Sequence, residues 1–168
     1  MSLRFVLGTL AAAGVLASAA APVAAETVVV KLRGHEEVPA NATHAFGDVR
    51  LKIDDRAKTI EYTLTYEALE GDALQAHIHV GQHGVNGGIS AWLCGTAALP
   101  GPAGTPVCPV RAGTVAGVLT PAQVVGPASQ LVEAGEFDDL VAAIRAGVAY
   151  ANVHSTRVPG GEIRGQLK

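Results

Sequence analysis

Val49-Arg50-Leu51-Lys52-Ile53-Asp54-Asp55-Arg56-Ala57-Lys58-Thr59-Ile60-Glu61-Tyr62-Thr63-Leu64-Thr65-Tyr66-Glu67 decides the fold class. Val49, Leu51 and Ile53 alternate with Arg50, Lys52 and Asp54. Ile60, Tyr62, Leu64 and Tyr66 alternate with Glu61, Thr63, Thr65 and Glu67. Period two is the signature of strands with one face buried. The polar Asp54–Lys58 link is short enough to fold the two runs into a hairpin. Working outward, Val28, Val30 and Leu32 share one face of an earlier strand, and Leu74, Ala76, Ile78 and Val80 share one face of a later one. Ile89–Leu93, Thr114–Leu119, Gly147–His154 and Glu162–Leu167 complete a set of eight. Eight short strands predict a mainly β fold, an antiparallel sandwich or barrel.

One short α-helix is expected beside the strands. Phe137, Leu140, Val141 and Ile144 recur at three- and four-residue spacing between Gly135-Glu136 and Gly147, which predicts an amphipathic helix over 136–146. Asp138 and Asp139 fall in its first turn, where negative charge suits the helix dipole. Thr120-Pro121 has the order of an N-cap followed by a first helical proline.

The chain has 168 residues, 49% of them hydrophobic and 16% charged, with a net charge of −3. That length holds one ordinary domain. The charge balance argues against nucleic acid, whose binders carry a basic stripe. The apolar content argues against disorder, and 20 Gly with 9 Pro suit many turns.

The first 25 residues read as an export signal. Arg4 supplies the basic start, Phe5–Ala21 an apolar run, and Val23-Ala24-Ala25 the small residues that precede a cleavage point. The run approaches the roughly 17–25 residues of a membrane anchor. Its Ala- and Gly-rich content and the abrupt change at Glu26 favour cleavage, leaving a mature domain over 26–168 with no other stretch able to span a bilayer. The expected location is secreted or periplasmic. In an oxidising compartment Cys94 and Cys108, the only cysteines, are expected to pair. The competing reading gives one thiolate to a metal or to reaction.

Three of the six histidines stand where chemistry is expected. His77 and His79 are two apart on a strand, so both rings leave one face with Cα atoms roughly 6.5–7 Å apart. That spacing lets two imidazoles converge on one metal ion. Their neighbours Ala76, Ile78 and Val80 take the core face. His154 closes a late strand with Tyr150 and Asn152 on its own face, and adds a third nitrogen if the two strands lie side by side. His83, past the turn at Gly81, is a weaker candidate fourth ligand or supporting group. The bland alternative is that these rings bond to carbonyls and fasten the Gly81–Gly88 turn. His35 and His44 read as surface residues, and Glu36-Glu37 as a solvated loop. Ser155 adjoins His154 on opposite strand faces and is a poor partner for it. Asn41-Ala42-Thr43 matches the glycosylation acceptor pattern.

Leu32-Arg33-Gly34-His35-Glu36-Glu37-Val38-Pro39, Ala76-His77-Ile78-His79-Val80-Gly81, Tyr150-Ala151-Asn152-Val153-His154-Ser155 and Pro159-Gly160-Gly161-Glu162-Ile163-Arg164-Gly165-Gln166-Leu167 occur in this order. Together they resemble the CHRD domain family, named for chordin and also found in bacterial exported proteins. The resemblance implies an immunoglobulin-like sandwich similar to that of copper/zinc superoxide dismutases. In those enzymes a similar His-x-His strand supplies copper ligands, which correspond here to His77 and His79, with His154 as a late-strand match. Arg164 loosely resembles an arginine that attracts their anionic substrate. The chain departs from that pattern: only His83 is available as a bridging ligand, four residues after His79, and the zinc loop is absent. A single copper or zinc ion is therefore the metal reading, not a binuclear centre. The family implies binding rather than turnover, with an extracellular or periplasmic protein or polysaccharide as partner. A metal-handling protein or dismutase-like enzyme is the alternative, and a structural or adhesive module the third.

Overall fold

A computed structural model describes residues 25–168. The export-signal reading falls almost wholly on residues 1–24, outside the described residues. Eight strands form in chain order: β1 (Glu26–Arg33), β2 (Phe46–Asp54), β3 (Thr59–Glu67), β4 (Ala73–Val80), β5 (Gly88–Cys94), β6 (Gly113–Leu119), β7 (Ala149–Ser155) and β8 (Ile163–Leu167). Helix α1 (Phe137–Arg145) precedes β7, and short 3₁₀ turns lie at Gly34–Glu36, Pro121–Gln123 and Ala128–Gln130.

All eight strands join one antiparallel sheet in the order β5-β4-β7-β8-β1-β2-β3-β6. The sheet curls until β5 and β6 approach each other, making a nearly closed barrel. The Tyr62 hydroxyl donates to the Leu93 carbonyl at 2.7 Å across this seam. The Cys94–Cys108 disulfide, with Cα atoms 5.0 Å apart, ties the end of β5 to the loop leading into β6.

The hairpin that opened the reading forms as expected. Ile53 faces Ile60 and Leu51 faces Tyr62 across it. The Asp54 carboxylate caps the turn by accepting from the N–H groups of Arg56 (2.9 Å) and Ala57 (2.8 Å). Val49, Leu51, Ile53, Ile60 and Leu64 are almost fully buried, while Arg50, Lys52 and Glu61 stay in solvent. Removing a leucine or isoleucine from water contributes roughly 1.5–3 kcal/mol, so this alternation selects the register.

Helix α1 buries Phe137, Leu140, Val141 and Ile144, the four residues its spacing marks. Arg145 reaches Glu26 (2.7 Å) and Asp55 (2.8 Å), and Lys58 reaches Asp138 (2.6 Å). The helix thus lies against the barrel end that carries the 55–58 turn. At Pro121–Gln123 the Gln123 side-chain oxygen accepts from the Thr120 N–H (3.0 Å) and hydroxyl (2.6 Å).

One expectation needs correcting. The alternation of β4 reads as a half-buried strand, but Ala76, His77, Ile78 and His79 are all buried, and every residue of β7 and β8 is buried as well. Loops cover the outer face of this part of the sheet, and that covered face holds the imidazoles.

Candidate metal centre

β4 and β7 are hydrogen-bonded neighbours, with His77 opposite Asn152 and His79 opposite Tyr150. His154 sits two pairs further along, opposite Gln75 and on the same face. The register of β4 against β5 shifts between Ala76 and His77 and again between Ile78 and His79. Irregularities of this kind re-aim side chains. One ring nitrogen from each of His77, His79 and His154 lies within 4.8 Å of the other two, making the only group of three metal-ligating side chains found among the described residues. The expected trio is therefore assembled, but in a different setting: His77 is fully buried, and His79 and His154 are 7% exposed.

The hydrogen bonds assign the tautomers. His79 Nδ1 lies 3.0 Å from the Gly87 carbonyl and His154 Nδ1 lies 2.9 Å from the Pro159 carbonyl. A carbonyl only accepts, so both Nδ1 atoms carry hydrogen and both Nε2 atoms present lone pairs. His154 Nε2 then accepts from His77 Nδ1 at 3.3 Å, leaving the lone pair of His77 on Nε2. The Asn152 Oδ1, itself an acceptor, lies 3.1 Å from the same His154 nitrogen, so in this tautomer the contact is not a hydrogen bond. The Nε2 atoms of His77 and His79 are buried and have no hydrogen-bond partner. Burial makes the charged forms costly. It pushes His77 down to about 2, helped by repulsion from His154 and His79, pushes His79 down to about 4, and lowers His154 as well. His77 and His79 thus each keep a free Nε2 lone pair, and the His154 lone pair, spent on His77 Nδ1–H here, is freed for a transition-metal ion when that bond opens.

Loops hold this arrangement from outside. The loop over 81–87 provides the carbonyl that orients His79, and Gly87 has no room for a side chain because a Cβ there would overlap the Val80 carbonyl. Arg164, 1% exposed, secures the loop by donating to the carbonyls of Gln82 (3.2 Å) and Val85 (2.9 Å) and to Asn86 Oδ1 (3.2 Å). Its guanidinium lies 3.3 Å from the Tyr150 ring centroid. The Tyr150 and His79 rings stack at 4.7 Å and 2°. The Tyr150 hydroxyl accepts from the Gly87 N–H at 3.2 Å. Trp92 meets His77 edge to face at 4.3 Å. Arg164 is accordingly a buried clasp, not a surface guide for anions.

Two further expectations are corrected. His83 does not join the trio: its side chain is 73% exposed and bonds Glu36 at 3.0 Å. Glu37 is not a solvated residue. The 3₁₀ turn at Gly34–Glu36 puts Glu36 at the surface and Glu37 inside, 5% exposed. Burial raises Glu37 to about 7, against the opposing pull of the Arg164 guanidinium, the Val38 N–H and the Asn152 amide. Charge patterning treats two adjacent glutamates alike, so it missed Glu37. The signal available was its place in the Leu32–Pro39 segment that carries the family resemblance.

His35 and His44 are exposed. The Ser155 hydroxyl accepts from the Val158 N–H at 3.1 Å and does not meet a base. The Asn41 amide is spent on the Gly161 (3.3 Å) and Glu162 (3.1 Å) carbonyls, so the acceptor triplet has a structural task. A broad groove of about 470 Å³ lies over the outer faces of β2, β3 and β6, where Arg50, Lys52, Glu61 and Val118 line it. It includes none of the imidazoles.

A barrel of this strand order with a buried three-imidazole cluster under loops defines a β module with one candidate metal centre. A family model for the CHRD domain matches residues 28–167, and the chain belongs to that family. No curated protein and no solved structure matches the chain.

Proposed function

We propose that this CHRD domain is an exported binding module whose ligand at the covered face is one copper or zinc ion, held by His77, His79 and His154. The observation that carries the reading is the pair of buried, unpartnered Nε2 atoms on His77 and His79. A buried acceptor with no donor costs roughly 1–3 kcal/mol, and a metal ion supplied to both removes that cost. Family membership supports a binding-type module. The Cys94–Cys108 disulfide and the reading of residues 1–25 as a cleaved signal support a location outside the cytoplasm. No helix among the described residues is long and apolar enough to cross a membrane.

Titrating the metal-free 26–168 domain with Cu(II) and with Zn(II) by calorimetry tests the proposal. The expected result is tight one-to-one binding, lost in both His77→Ala and His154→Ala. Trp92 is the chain's single tryptophan and touches His77, so Cu(II) should also quench its fluorescence. Absence of binding by a folded wild-type domain overturns the proposal.

A further inference from the structure

The charge of the site is unbalanced by its own ligands. Three neutral imidazoles contribute none, and the buried Arg164 guanidinium adds a positive charge that lowers the pKa of His79. A divalent ion brought into such a place leaves two positive charges with no anion among the ligands, and the cost of burying charge rises steeply with its size. Glu37 is a buried carboxyl linked to this site through Asn152, whose Oδ1 lies 3.1 Å from His154 Nε2. It is 5% exposed, lies against Asn152 and feels Arg164, and its Oε1 is buried without a hydrogen-bond partner. The backbone makes room for it: a Cβ on Gly161 would stand 2.5 Å from Glu37 Oε1, and Gly161 has a φ of +130° that side chains rarely adopt. The other buried glutamate, Glu162, also has an unpartnered oxygen, Oε2, but its Oε1 is held by the Thr43 hydroxyl (2.8 Å) and the Glu70 N–H (2.7 Å), whereas Glu37 is the one beside Asn152 and Arg164.

We propose that Glu37 is the specificity-determining residue of the site, its buried carboxylate compensating a divalent ion held by His77, His79 and His154 without being one of the ligands. The inference rests on the metal reading above. It separates ions by charge: Zn(II) and Cu(I) have the same filled d shell and both accept imidazole, yet a carboxylate at a given distance stabilises the doubly charged ion about twice as much.

The test compares Zn(II) and Cu(I) affinities at pH 8 for the wild-type domain and Glu37→Gln, which keeps the shape and removes the charge. The expected result is at least a tenfold loss of Zn(II) affinity with a Cu(I) loss near its square root, about threefold for a tenfold Zn(II) loss. An equal loss for both ions makes Glu37 a packing residue and overturns the proposal, as does no change for either. A wild-type domain that binds neither ion instead overturns the metal reading, and this inference with it. Should Glu37→Gln fail to fold, Glu37→Met, uncharged and of similar volume, takes its place with the same expected ratio.

Discussion

The two halves of the barrel use the same alternation for different ends. In β1, β2, β3 and β6 the inner residues are apolar and the outer ones, such as Arg50, Lys52 and Glu61, face water. In β4, β7 and β8 the inner residues are also apolar, among them Ile78, Ala151, Val153 and Ile163. The outer ones, His77, His79, Tyr150, Asn152, His154 and Arg164, are buried under loops. A solvated face can change its polar residues at little cost. A covered polar face must satisfy the groups it holds, so a cluster of unpartnered atoms there, such as His77 Nε2 and His79 Nε2, calls for a partner, be it water or an ion.

Breaking the seam between the halves should have the largest effect. The disulfide closes a loop across a sequence separation of 14, and the chain-entropy model assigns such a loop roughly 3 kcal/mol. Reduction with both thiols alkylated should lower the melting temperature by about 6–12 °C. An unchanged melting curve would show that the loop is held without it.

The same substitution made in each half sharpens the contrast. Arg164→Met removes a buried clasp from the Gln82 and Val85 carbonyls and should cost about 2–3 kcal/mol in denaturant unfolding. Arg50→Met, on the exposed face of β2, should stay within about 0.5 kcal/mol. Equal effects would mean that the covered face is no more demanding than the open one.

A smaller effect follows from pH, again only in the covered half. Each of the three imidazoles has a folded pKa below its ordinary 6.5, so the unfolded chain binds more protons below that pH. Stability of the metal-free domain is therefore full above pH 6.5 and falls as pH drops toward about 4, where His79 takes its proton. Glu37 runs the other way. Its folded pKa of about 7 exceeds 4.5, so the folded state holds the extra proton between those values, and its contribution is lost as pH rises through 7. Three groups outweigh one, and the melting temperature should fall between pH 6.5 and 4.5. A flat profile in metal-free buffer would contradict the burial of these rings.

Period two, read along Val49–Glu67 and the matching runs, determined the eight strands and their apolar faces, because burying one face of a strand leaves no other register open. Spacing likewise determined the helix face of Phe137, Leu140, Val141 and Ile144, and composition the pairing of Cys94 with Cys108. It also put His77 and His79 on one side of β4. Alternation says which residues share a face but not what lies over that face. Only the tertiary structure decided that loops around Gly34–Glu37 and Gly81–Gly87 cover β4 and β7, which buries the imidazoles in their neutral tautomers. The same cover turns Arg164 into a clasp, brings Glu37 inside and leaves His83 out. Those outcomes depend on contacts between residues such as Glu37 and Asn152 or Gly87 and His79, brought together by the order of the strands and invisible to any local pattern.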